Sequence, residues 1–207
     1  MNKVKLSLLS LLVLGMTATT ASAAVYYTFE DAGQLTSTQA GVNTVPFTSG
    51  SISSYNGASG SYSINGSSVS GSAQPFGITS EFLSVGGGET ASFDVGANYN
   101  YFGLFWGSID NYNTLSFLND GIQVASFGGG DISPLIANGN QGSWNSNRYV
   151  NFFFTGTDTF DTVSLYSGSN AFETDNHAFG VVPEPSIIAL FGLGLVGLGF
   201  ARRKTRS

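Results

Sequence analysis

The 207-residue sequence contains no cysteine, which excludes disulfide cross-links and thiolate chemistry. It has a single histidine, His177, and charged residues make up only 10% of the chain, against roughly 25% in ordinary soluble domains. One histidine without cysteine leaves a zinc site short of nitrogen and sulfur ligands. The folded protein must therefore be held together by its core, or by an ion bound through oxygen atoms.

The central region almost lacks positive charge. Of the 13 acidic residues, all but Glu184 lie between Ala24 and Val182, where Arg148 is the only basic residue, so the net charge of this stretch is about −11. Nucleic acids and anionic lipid surfaces are poor partners for such a region, because binding them requires lysine and arginine to neutralise phosphate. Cations and neutral sugars remain open as partners.

The first 23 residues have the pattern of a secretory signal peptide. Lys3 and Lys5 form a basic start, and a mostly apolar run follows from Leu6 to Met16. Small residues then supply the site that a signal peptidase requires, and the pattern predicts export with residues 1–23 removed. The predicted cleavage site comprises Ala21, Ala23 and Ala24.

Apolar residues recur with a period of two from Thr79 onward. Ala91, Phe93 and Val95 alternate with polar residues, which is the pattern of a strand with one buried face. Asn, Asp and Gly at 119–121 tolerate positive φ and predict the tight turn of a hairpin.

The stretch 48–75 is rich in glycine and serine and predicts a flexible linker or long loops, with short edge strands as an alternative around Tyr62 and Ile64. No segment of the central region shows a helical apolar stripe. Eight or more short strands separated by Gly, Asn and Asp turns predict an all-β fold over residues 24–181, an antiparallel β-sandwich or jelly roll.

A second hydrophobic segment follows this domain. Residues 186–201 carry no charge, and as a helix these 16 residues would span about 24 Å, short of the ~30 Å hydrocarbon core. Prolines at 183 and 185 keep the preceding backbone extended. The basic residues beyond the segment are expected to stay in the cytoplasm, which places the domain outside. These residues are Arg202, Arg203, Lys204 and Arg206.

Val182-Pro183-Glu184-Pro185, the glycine-rich apolar span and the basic cluster, in that order, resemble the PEP-CTERM sorting signal of Gram-negative bacteria. The resemblance covers residues 182–207. It implies recognition by an exosortase, an integral-membrane cysteine protease or transpeptidase, with transient inner-membrane association through the helix before processing near Pro183 to Pro185. It also implies a role at the cell surface in exopolysaccharide or biofilm. Segments 101–117 and 172–180 resemble β-sandwich domains of exosortase-dependent surface proteins.

Oxygen-bearing side chains at the first and last predicted strands suggest a structural calcium ion. Jelly-roll domains often place these strands near one another, and Ca²⁺ prefers carboxylate and amide oxygens. The strong negative charge of the domain would favour such a cation. The predicted ligands are Glu30, Asp31, Glu173, Asp175 and Asn176.

Two predicted loops, 107–113 and 138–149, carry residues suited to sugar contact. Aromatic rings can pack against the apolar face of a sugar, and polar side chains can bind its hydroxyl groups. Tyr112, Trp144 and Arg148 are the candidates.

Few features of the sequence indicate catalysis. Asp175 and His177 are two residues apart and are expected on the same face of a strand, as in part of a Ser-His-Asp triad, but no G-x-S-x-G elbow accompanies them. Glu173 and Asp175 would be only ~7 Å apart on that face and would need a third element to form a glycosidase cleft. We therefore assign no catalytic residue and predict a secreted, noncatalytic matrix protein. A carbohydrate-binding module and a glycoside hydrolase remain the alternatives.

Overall fold

The structure is a computed structural model that describes residues 24–132 and 135–183. These residues form 12 strands in two antiparallel sheets, which confirms the predicted all-β, two-sheet fold. The strands are β1 (Val25–Phe29), β2 (Asn43–Val45), β3 (Gly57–Gly60), β4 (Ser63–Asn65), β5 (Phe82–Val85), β6 (Glu89–Tyr99), β7 (Tyr101–Gly107), β8 (Asn113–Asn119), β9 (Ile122–Gly128), β10 (Arg148–Phe154), β11 (Phe160–Ser167) and β12 (Phe172–Gly180).

Sheet A has seven strands in the order β1-β10-β7-β12-β5-β4, with β2 also paired to β12. Sheet B has five strands in the order β3-β6-β11-β8-β9. Strand β12 pairs with β5 through its first half and with β2 through its second half. The Gly/Ser-rich stretch 48–75 therefore contributes an edge strand to each sheet, β3 to sheet B and β4 to sheet A, as the edge-strand alternative predicted.

The core between the sheets is built from the inward-facing residues of the predicted alternation, and it is largely aromatic. Phe117 of β8 lies at its centre, with ring centroids 5.4 Å from Phe152, 5.6 Å from Phe102 and 5.1 Å from Phe160. Such edge-to-face and tilted pairs add about 0.5–1.5 kcal/mol each beyond the burial of their area. Trp106 is also fully buried in this core, as predicted.

The predicted hairpin is present in β8 and β9. Asn119 pairs with Ile122, so Asp120 and Gly121 alone form the turn. Their φ values of 50° and 77° are the two positive values that a type I′ turn requires.

Sheet A is covered on its outer face as well, because loops pack over β7. Ile78 and the half-buried Trp144 contact Phe105 and Tyr149 there. Gly107 makes this layer possible, since a Cβ at that position would lie 2.6 Å from the ring of Pro75. A strand buried on both faces explains why the segment 101–107 is apolar almost throughout.

Candidate functional site

Four loops meet over the outer face of β12 at one end of the sandwich. They connect β4 to β5, β7 to β8, β9 to β10 and β11 to β12. Glu173 of β12 lies beneath them and is only 2% exposed. One carboxylate oxygen accepts a hydrogen bond from the backbone N–H of Ala73 at 2.8 Å, and the other accepts one from the hydroxyl of Ser108 at 3.1 Å. The loops thus hold a buried carboxylate by hydrogen bonds.

A cleft of about 260 Å³ lies above this carboxylate and has a mostly polar wall. Serine hydroxyls, side-chain amides and the carboxylate itself face it, and among the described residues that line it Glu173 is the only acid. Hydroxyl, amide and carboxylate groups in a concave site are suited to binding the hydroxyl groups of a sugar. The polar lining residues are Ser68, Ser72, Gln141, Asn170 and Glu173.

Burial raises the pKa of Glu173, and its hydrogen bonds offset part of that effect. The nearby carboxylate of Asp110 acts in the same direction as burial. The pKa of Asp110 is itself raised by burial. Arg148 is the only basic residue between positions 24 and 183, and it lies elsewhere, so the cleft is an electronegative site. Such a site repels anionic ligands.

Tyr112 borders this end of the sandwich, as the sequence predicted for a sugar-contacting loop. Its hydroxyl donates a 2.6 Å hydrogen bond to the carboxylate of Asp110 and lies 2.9 Å from the carbonyl of Asn170, which lines the cleft. Burial raises the pKa of Tyr112, and Asp110 raises it further. The ring is therefore fixed beside the cleft. Sugar contact through Tyr112 stays a prediction.

Asn147 joins three of the loops and was missed by the sequence analysis. Its side-chain oxygen accepts hydrogen bonds from the backbone N–H groups of Phe76 and Ser108, at 3.1 and 2.7 Å. Its amide nitrogen donates to the carbonyls of Asn140 and Ser143, at 2.7 and 3.0 Å. Because all four partners are backbone groups, no pattern of side chains in the sequence signals this role.

Trp144 and Arg148, the other two sugar candidates, lie away from the cleft in the loop layer over β7. The ring of Trp144 packs 4.8 Å from that of Phe76 and covers Gly77. The guanidinium of Arg148 donates to the backbone carbonyls of Trp144 and Glu30, at 3.1 and 3.2 Å. Both side chains therefore have structural contacts, and the structure does not bring them together with Tyr112.

The predicted pairing of Asp175 and His177 on one strand face is wrong, because β12 contains a bulge. Asn176 has a φ of 49°, and the register with β7 shifts between Asp175 and Ala178. An extra residue in one strand reverses which face the following side chains take. Asp175 therefore faces the loop layer, where Ser80 donates to it at 2.9 Å, whereas His177 enters the core. Asp175 and His177 therefore do not form the histidine–aspartate pair of a catalytic triad.

His177 is fully buried between the sheets and acts as a core residue. Its Nδ1 shares a 2.6 Å hydrogen bond with the hydroxyl of Tyr55, and its Nε2 shares one of 2.8 Å with the hydroxyl of Thr174. Burial lowers the pKa of His177 to about 3, so the ring is neutral at ordinary pH. On the other side of the bulge, burial raises the pKa of Asp175 to about 6.

The residues predicted to bind calcium do not form one cluster. Strand β1, which leads to Glu30 and Asp31, is separated from β12 by β10 and β7, so the expected closeness of the first and last strands is wrong here. The carboxylate of Glu30 accepts hydrogen bonds from Thr38 and Asn151. Glu173 and Asp175 instead accept hydrogen bonds from the loop between β4 and β5. Within 24–132 and 135–183, no three His, Cys, Asp or Glu side chains are grouped in a way that could hold a metal ion.

The chain leaves the domain at a fixed point. The backbone N–H of Val182 donates to the side-chain oxygen of Asn100 at 2.8 Å, and the Asn100 amide donates back to the Val182 carbonyl at 2.9 Å. Pro183 follows at the end of the described region. The remaining predicted sorting and cleavage residues lie outside the described residues, namely Ala21, Ala23, Glu184, Pro185, Arg202, Arg203, Lys204 and Arg206.

Residues 181–204, which begin at this exit point, match the model of the PEP-CTERM protein-sorting motif. This chain carries a PEP-CTERM sorting signal. The predicted recognition of the tail is thereby confirmed, and the motif implies processing by an exosortase and sorting to the cell surface. The apolar span of the signal is not among the described residues, and in the part that is described no helix is long and apolar enough to cross a membrane.

No curated protein matches the chain. Among solved structures, it is similar to a family 6 carbohydrate-binding module whose binding sub-sites were dissected, with 14% identity and a TM-score of 0.39 over 67% of this chain and 92% of the other. It is similar to CsCBM6-3 from Clostridium stercorarium in complex with cellobiose, with 14% identity and a TM-score of 0.38 over 68% and 94%. The CBM32 domain of AlyQ in complex with 4,5-unsaturated mannuronic acid gives 17% identity and a TM-score of 0.33 over 60% and 94%.

Proposed function

We propose that this protein is a noncatalytic component of the exopolysaccharide matrix at the cell surface. The sorting signal at residues 181–204 carries the proposal, because it implies delivery of the domain to that location by an exosortase. The chemistry of the domain supports it. With a net charge of about −11 between Ala24 and Val182, the domain stays soluble and hydrated outside the cell.

The arrangement of carboxylates favours a noncatalytic role over glycoside hydrolysis. A glycosidase of the usual kind needs two carboxyl groups flanking the scissile bond. Of the described residues that line the cleft, Glu173 alone is acidic. Asp175, its predicted partner, is fully buried under Ser80 and does not line the cleft.

Retention of the protein in the matrix tests this proposal. The protein is quantified in washed matrix and in medium, in a strain that makes exopolysaccharide and in one whose synthesis is blocked. We expect retention in the first strain and release into the medium in the second. Equal retention in both strains would show that the protein is held by something other than the polysaccharide.

Carbohydrate binding through the cleft over Glu173 is the second candidate function. The observation that favours it is the concave, polar wall with a buried carboxylate at its base. Glu173→Gln keeps the size of the side chain and removes the charge. We expect this variant to bind isolated exopolysaccharide about tenfold less tightly in a titration, the equivalent of ~1.4 kcal/mol.

Asp31→Asn is the matched control for that variant. It removes one charge at an exposed position after β1, and Asp31 does not line the cleft. Equal affinities of the native protein and Glu173→Gln would exclude the cleft as the binding site.

A further inference from the structure

The outer face of sheet B carries a row of serine hydroxyl groups. The strand register aligns one serine from each of the five strands. Strands in a sheet are spaced about 4.8 Å apart, so the row extends for roughly 19 Å. Hydrogen bonds of 3.0 Å join two of the neighbouring pairs within it. The row consists of Ser59, Ser92, Ser164, Ser116 and Ser126.

A trough begins at one end of this row, where Ser59 and Ser92 line it, and continues along β6 away from the other three serines. It consists of two adjoining depressions of about 280 and 370 Å³, which share Asp94 and Thr162 in their lining. The first depression takes in two serines of the row and is open at Gly57, where a Cβ would meet nothing within 4 Å. The second extends to Gly121 in the β8–β9 turn and to Asp161 of β11.

The solvent-facing side of an antiparallel sheet needs only polar residues, and a row of serines satisfies that need without any ligand. The trough adds a concave surface that combines hydroxyl groups with the carboxylates of Asp94 and Asp161. Both acids are held in place by the fold. Asp94 accepts a hydrogen bond from Asn56 at 2.7 Å, and Asp161 accepts one from the backbone of Asp120 at 2.7 Å.

The charges around the trough restrict its occupant. Two carboxylates line it, and the one basic residue between positions 24 and 183, Arg148, belongs to sheet A. A polymer that carries uronate, sulfate or phosphate groups would be repelled. A polysaccharide without negative charge can donate hydrogen bonds from its hydroxyl groups to the two carboxylates. Its hydroxyl groups can also donate hydrogen bonds to the serine hydroxyls and accept hydrogen bonds from them.

We infer that the trough on sheet B, which begins at Ser59 and Ser92, binds an extended, non-anionic polysaccharide chain along its length. This inference rests on the proposed association with exopolysaccharide, and it adds a binding surface on the opposite sheet from the cleft over Glu173. Two separate surfaces would let one domain contact two polysaccharide chains and cross-link them, which suits a matrix protein.

Filling the trough tests the inference. Gly57→Leu introduces a side chain into open space at a position with ordinary φ, so the fold is expected to tolerate it. Gly130→Leu is the matched control, because Gly130 is equally open and also lacks a positive φ, but it lies in the turn after β9 and does not line the trough. Binding is titrated with isolated exopolysaccharide, with neutral β-1,4-linked glucose oligosaccharides of two and six residues, and with a six-residue galacturonate oligomer.

We expect the native protein to bind the neutral hexamer more tightly than the dimer and more tightly than the galacturonate. Gly57→Leu should weaken binding of the hexamer by about tenfold or more, whereas Gly130→Leu should not change it. Unchanged binding by Gly57→Leu, or tighter binding of the galacturonate, would overturn the inference. Binding of exopolysaccharide that is lost in Glu173→Gln but kept in Gly57→Leu overturns the inference and leaves the proposed function standing. Absence of binding to every polymer overturns both.

Discussion

Replacing Asp175 by asparagine should make the stability of the protein fall more steeply on acidification. Burial raises the pKa of Asp175 from 3.8 to about 6. A carboxyl group with a raised folded-state pKa lowers stability at neutral pH, and this cost disappears as the pH falls through 6 toward 3.8. His177 acts in the opposite sense, because burial lowers its pKa from 6.5 to about 3. The contribution of His177 to the stability of the folded protein is fully present above pH 6.5 and is lost as the pH falls toward 3.

The two effects oppose each other in the native protein. Between pH 7.5 and pH 4.5, protonation of Asp175 restores about 2 kcal/mol, while keeping His177 neutral in the core costs roughly 3 kcal/mol. The raised pKa of Glu173 adds to the first effect. Asp175→Asn removes the stabilisation that comes from protonating Asp175. Between pH 7.5 and pH 4.5, the free energy of unfolding of the variant should therefore fall by about 2 kcal/mol more than that of the native protein. At pH 7.5 it should be the more stable of the two by less than the ~3 kcal/mol that the pKa shift represents. Asparagine can still accept from the Asn176 N–H, but its NH2 group takes the place of the oxygen that accepts from Ser80.

Urea unfolding at pH 7.5 and pH 4.5, followed by tryptophan fluorescence, measures these differences. Asp31→Asn is the control, because it makes the same substitution at an exposed position. If the stability difference between Asp175→Asn and the native protein is the same at both pH values, the reasoning about the buried carboxylate is refuted.

Two further predictions concern packing, and both are measured by the same unfolding experiment. Phe117→Ala should destabilise the protein by about 3–5 kcal/mol, because it removes the ring at the centre of the aromatic core; a loss below about 1 kcal/mol would contradict that position. Gly107→Ala should destabilise it by about 1–3 kcal/mol, since the new Cβ meets Pro75 at 2.6 Å. Gly130→Ala, at an open position, is its control. Equal stability of the two variants would show that the loop carrying Pro75 can move aside at little cost in free energy.

Local features of the fold could be predicted from the sequence because their signals are local. The alternation of Ala91, Phe93 and Val95 with polar residues correctly predicted which residues of β6 face the core. The turn residues Asp120 and Gly121 fixed the hairpin, because their side chains suit positive φ. The apolar span and basic cluster after Pro183 could be recognised as a sorting signal for the same reason.

Features that depend on long-range pairing could not be predicted in this way. The bulge at Asn176 separates Asp175 from His177, and the polar residues on both sides of it give no apolar alternation in which the shift could be seen. The strand order that keeps β1 away from β12 is set by packing of the whole sheet, and it removed the expected calcium cluster. The cleft over Glu173 depends on Asn147, whose contacts are all with backbone groups of other loops.

The intact mass of the protein recovered from the cell surface and the medium tests most directly the claim that an exosortase processes it. We expect a chain that begins at Ala24 and ends near Val182, the residue that Asn100 holds at the exit of the domain, with or without an attached group. The same measurement in a strain without the exosortase should give a chain that keeps the apolar span and the basic cluster. A surface protein that still extends to Ser207 in the normal strain would show that no exosortase processes it.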